Sequence, residues 1–181
     1  MSVSLGKYYD QVAAGRVFIG STAAAGTAFP ISTGTAVTFG LWNTSSDKNA
    51  VLLCLRAGYT SGTIALGTWG LADQYCGFAL GTAAPLSVFT NGTPKNALVG
   101  AGNASAMRFT PSAGTLTAGG TALAWYGGSQ ESATAGLGIW GINWDFDGSV
   151  IVPPGQLVFV CGSVAQTALY SMSLAWAEVA A

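Results

Sequence analysis

The sequence predicts an all-β chain: a single antiparallel β-sandwich of jelly-roll type with a short N-terminal arm. Three observations carry this. Turn-forming residues punctuate the chain every eight to twelve residues, among them Thr33-Gly34, Ser61-Gly62, Gly119-Gly120, Asp147-Gly148 and Pro153-Pro154-Gly155. The runs between them are rich in Val, Ile, Thr, Phe, Tyr and Trp, residues that suit a pleated, half-buried surface. No eleven-residue window carries an apolar stripe at the helical period of 3.6. A length of 181 residues fits one domain.

Residues 1–15 precede the first strand-like run and read as an arm, expected to extend and bind a neighbouring subunit or partner. Within it, residues 5–14 have the pattern for one short helical turn. The sandwich domain is assigned to residues 16–181. Its expected strands cover residues 16–19, 36–42, 49–59, 63–68, 76–80, 104–109, 121–126, 138–145, 149–152, 156–161 and 168–179. Ser61-Gly62 is expected to close a hairpin, because Gly takes the positive φ that a tight turn needs. Pro153-Pro154-Gly155 is expected to close another, with Pro stopping one strand and Gly turning the chain into the next. Residues 91–103, with their Gly, Pro and Asn, read as a long loop. The last strand alternates cleanly. Tyr170, Met172, Leu174 and Trp176 fall on one face and belong in a core, while Leu169, Ser171, Ser173, Ala175 and Ala177 form a face of mostly small residues that permits close approach.

Composition narrows the function. Gly, Ala, Ser and Thr make up half the chain, and charged residues only 7%, against roughly 25% in ordinary soluble domains. A folded monomer of this mass exposes about 8,000 Å², which leaves one charge per roughly 600 Å² where about 180 Å² is typical. Such a surface is expected to be covered by copies of itself or by a partner. Six Lys and Arg against seven Asp and Glu leave no basic footprint for nucleic acid. The long uncharged stretches 17–46 and 148–177 are broken by Ser, Thr, Gly and Pro, so no membrane span is expected. The first sixteen residues lack the apolar run of a secretory signal. Cys54, Cys76 and Cys161 show no metal or redox spacing. Cys54 and Cys161 lie in apolar runs, so both are expected as buried, unpaired thiols made in a reducing cytoplasm.

Chemistry finds little to stand on. The chain has no His, which removes Ser-His-Asp and Cys-His catalysis and imidazole zinc sites. No glycine-rich piece has the spacing of a phosphate loop. Lys7, Lys48 and Lys95, the remaining bases for a Ser or Thr nucleophile, stand in turn or arm contexts. Asp145 and Asp147 are the closest pair of acids and would share a strand face. Three readings are open for them: an ordinary Asp-Gly turn, which is favoured, a calcium ligand pair, or the two carboxylates of a glycosidase. Trp140 and Trp144, four apart on a strand, form a core face in preference to a sugar-stacking platform or a subunit contact. No catalytic, cofactor-binding or metal-binding residue is assigned.

A family resemblance adds a direction. The segments VFIGSTAAAGTAFPISTGTAVTFGLWNTSSDKNAVLL, FTPSAGTLTAGGTALAW and DFDGSVIVPPGQLVFVCGSVAQTALYSMSLAWAEV resemble small virion structural proteins of tailed bacteriophages. The resemblance runs from Arg16 onward and is one of phrasing, without a catalytic motif. It implies a jelly-roll subunit of the phage particle: a non-enzymatic capsid decoration (cement) protein, homotrimeric, bound to the major capsid protein and resident in the virion. It carries no functional residues over. The rival expectations are a carbohydrate- or receptor-binding module of a tail or fibre, and a glycan hydrolase using Asp145 and Asp147.

Overall fold

A computed structural model describes residues 6–65, 67–129 and 141–181, which hold thirteen strands and one short helix. In chain order these are α1 (Tyr9–Ala13), β1 (Val17–Ser21), β2 (Ala36–Val37), β3 (Gly40–Trp42), β4 (Lys48–Ser61), β5 (Gly67–Tyr75), β6 (Leu86–Phe89) and β7 (Lys95–Asn96). There follow β8 (Arg108–Thr110), β9 (Gly114–Leu116), β10 (Thr121–Ser129), β11 (Gly141–Val152), β12 (Gln156–Gly162) and β13 (Leu169–Ala180).

The alternation legible in the last strand fixes its place. Tyr170, Met172, Leu174 and Trp176 are each no more than 3% exposed and form the spine of the main core. β13 therefore lies inside a sheet, between β4 and β1, in the antiparallel order β11-β4-β13-β1-β7. A second antiparallel sheet, β10-β5-β12-β3-β8, packs over it, and a small third sheet, β2-β9-β6, covers part of the second. The eight principal strands fall four to a sheet in jelly-roll order, β11-β4-β13-β1 against β10-β5-β12-β3. The all-β sandwich is the fold.

β12 is buried on both faces. Val158 and Val160 face the main core, while Leu157, Phe159 and Cys161 face the third sheet with Trp42, Leu86 and Phe89. A strand covered on both sides needs no alternation, so QLVFVCG reads as an unbroken apolar run. At one end of the core Phe29 stacks on Tyr170 at 4.6 Å and Trp69 meets the same ring edge-on at 4.7 Å. Gly26 makes this possible. At φ 76° its α-carbon lies so near the chain that a Cβ would sit 2.5 Å from the Tyr170 carbonyl carbon.

Several expectations are corrected. Neither predicted hairpin is one. β4 runs to Ser61 and the chain then crosses to β5 in the other sheet, and Pro153–Gly155 likewise carries the chain from β11 across to β12. Turn residues mark where a chain reverses, not which sheet receives it. Residues 63–65 are not strand, and residues 76–80 form a turn; the strand is β5. Between β5 and β10 an insertion supplies β6 to β9. Two of these, β7 and β8, cap the edges of both large sheets on one flank. Asp147-Gly148 does not end a strand: β11 continues through it as a bulge.

Candidate interaction surface

That bulge is built from left-handed backbone. Asp147 has φ 53° and Gly148 φ 82°, conformations that Asp and Gly adopt most readily. Asp145 pairs with Cys54 and Val150 with Leu52, so Phe146 to Ser149 together face only Leu53. Asp145 and Asp147 do share the outward face, as expected of residues two apart. Each has its own partner. Asp145 accepts from Arg56 at 2.9 Å, and Asp147 accepts from Lys7 and from the Tyr8 hydroxyl. Both side chains are about half exposed on an open sheet face. Among the described residues no three metal-ligating side chains gather. The ordinary turn favoured for this pair is instead a bulge inside β11, with each carboxylate tied to its own cation.

The Asp147 contacts hold the N-terminal segment. Bonds from Lys7 and Tyr8 keep the Asp147 carboxyl below its ordinary range, and burial with Asp147 beside it pushes the Tyr8 phenol up to about 12. Tyr8 and Val12 then cover an outer-face cluster of Val17, Leu53 and Ala177. Residues 6–15 therefore fold back on their own sheet, where an extended arm was expected. The reason lies in β4. Leu52 and Leu55 face the core, but Leu53 turns outward at the bulge and needs a cover.

The same irregularity corrects one thiol. Cys161 and Cys76 are buried, and burial pushes both up to about 12, but Cys54 is only half-buried on the outer side. All three are free.

A groove of about 550 Å³ opens at the end of the sandwich beside Arg16, Asp47, Lys48, Asn103 and Glu178. Glu178 continues the core row of β13 yet carries a carboxylate, 5% exposed. It accepts from the Ser105 hydroxyl at 2.5 Å and the Ala106 N–H at 3.1 Å, and pairs with Lys48 at 3.6 Å. So partnered, it pins residues 105–107 across the end of the core. Sequence reasoning gave it no role. Its spacing of two from Trp176, on the large face, was the available signal.

Tryptophans divide by place. Trp42, Trp69 and Trp176 are core. Trp144 is half-buried against the core and 4.7 Å from Tyr126, and Trp140 lies outside the described residues. Trp125 is 44% exposed on β10.

β10 sits on the flank opposite the caps. Among the described strands it pairs only with β5, and β11 beside it pairs only with β4, so both sheets end there in long edges. Register shifts in β10 fall around Leu123 and Tyr126. Leu123, Trp125 and Tyr126, with Ile151 of β11, are exposed. Leu123, Val150, Val152 and Val158 line a cleft of about 100 Å³ between the sheets. From Phe109 to Gln130 the chain carries no charge. Comparison of the chain with family models, curated proteins and solved structures returns no match.

Proposed function

We propose that this protein is a non-enzymatic structural subunit of a tailed-bacteriophage particle: a capsid decoration protein that assembles with copies of itself, as a homotrimer, and binds across joints between major capsid subunits. The observation that carries the reading is a jelly-roll sandwich with 8818 Å² of surface in a chain of only thirteen charged residues, one of which, Glu178, is buried. Surfaces so poor in charge suit permanent contact, and jelly rolls recur in viral shells. The resemblance of the segments from Arg16 onward to phage virion proteins points the same way. Contacts to a capsid would then be apolar packing and neutral hydrogen bonds, and symmetry would multiply modest sites through avidity.

The test compares heat-induced DNA release from particles with and without the protein, at low salt and near 1 M salt. Protected heads at both salt levels are expected, because screening weakens only charge-steered complexes. Equal release temperatures with and without the protein would remove the cement role. Exposed Trp125 beside Tyr126 favours a second reading, a carbohydrate- or receptor-binding module of a tail or fibre. Glycan binding abolished by Trp125→Ala would establish that one.

A further inference from the structure

We propose that the open flank formed by β10 and β11 is where one copy of this chain docks on another, with Leu123, Trp125 and Ile151 packed between them. The inference rests on the self-assembly part of the reading above and assigns it a surface, with a twofold contact in place of the threefold one. Exposed sheet edges are ordinarily guarded by short strands, bulges or charges. Three of the four outermost strands of the large sheets here are guarded by shortness or by charge. β7 and β8 are two and three residues long. β11 carries the Asp147 bulge and two acids paired to Arg56 and Lys7. β10 differs. Two bulges interrupt it, around Leu123 and Tyr126, but it is nine residues long, has neither charge nor Pro, and leaves both of those side chains exposed.

The occupant follows from chemistry and size. An uncharged strand offers a charged partner no complementarity, whereas an edge with unpaired N–H and C=O groups is met best by another strand edge. A copy of the same flank supplies one, together with matching apolar side chains, and a flank that meets itself does so about a twofold axis, so this contact makes a dimer. β11 at twelve residues makes the flank about 40 Å long, and two sheets about 10 Å apart with their side chains make it about 20 Å wide. That is about 800 Å² per copy, one side of a standard stable interface.

The experiment is sedimentation equilibrium of the full chain at micromolar concentration. Wild type is compared with a Leu123→Glu, Trp125→Glu double variant and with Val99→Glu, which alters a fully exposed loop residue away from the flank. Wild type and Val99→Glu are expected at a multiple of 18.2 kDa, with the double variant at 18.2 kDa and its dissociation constant raised about a hundredfold. If the double variant misfolds by circular dichroism, hydrogen exchange of wild-type residues 121–129 replaces it. Exchange there should slow on assembly and recover on dilution. A monomeric wild type, an oligomeric double variant, or exchange in β10 indifferent to dilution overturns the proposal. Particle binding is scored separately. An oligomer held by this flank that fails to attach to heads sustains the inference and overturns the decoration role.

Discussion

Glu178 shows how a single side chain joins two distant segments. Replacing it with Ala leaves the Ala106 N–H and the Ser105 hydroxyl without their acceptor in a part-buried site, a loss of about 1–3 kcal/mol. Urea unfolding should show that loss, and a midpoint unchanged from wild type would mean that residues 105–107 are held by other contacts. Gly26→Ala is expected to cost about 1–3 kcal/mol, since it combines a left-handed backbone with a clash against Tyr170. Thiol labelling of the native protein should run in order: Cys54 first, Cys76 and Cys161 only on unfolding, because burial suppresses their thiolates. The core row Tyr170 to Trp176 was legible because alternation against small residues has one physical reading. Cys54 was misread because a bulge reverses alternation without any residue type announcing it.

Among elements, α1 and its latch show what pH can do. The folded Asp147 carboxyl titrates below its unfolded value, so its contribution is present above about pH 4 and is lost as pH falls through the folded value. Tyr8 has the opposite sign. Its folded phenol titrates near 12, above its unfolded value near 10, so its contribution is complete below pH 10 and fades as pH rises toward 12. Methyl shifts of Val12 and Leu53 should therefore hold steady between those limits and move at either end. An acid midpoint at or above the ordinary 3.8 would show that Asp147 is not the latch. Strand positions such as β4, β12 and β13 were legible from apolar runs and their bounding turns. Pairings were not. Ser61-Gly62 looks the same in sequence whether the chain returns beside itself or crosses a sandwich. The short strands β2, β7, β8 and β9 owe their existence to neighbours, not to local propensity.

At the scale of the molecule, scarcity of charge and the jelly-roll class were both readable, but the asymmetry of its flanks was not, since it depends on where the insertion between β5 and β10 lands. One arrangement has a further consequence, for the order in which the protein can be made. β13 leaves the ribosome after the other twelve described strands, yet it stands in the middle of its sheet and joins β4 to β1. Until residues 169–180 emerge, β1 and β4 have no common neighbour and the main core lacks its spine. Folding of the large sheet is thus deferred until synthesis of β13 ends, and the loop closed between β1 and β13 spans nearly the whole domain. A chain stopped at residue 168 should show no cooperative melt, and one arrested on the ribosome with β13 still in the exit tunnel should remain sensitive to protease. Subunits can then recognise one another only once the sandwich has closed, which keeps an uncharged edge such as β10 from meeting its partner before the fold that presents it is complete.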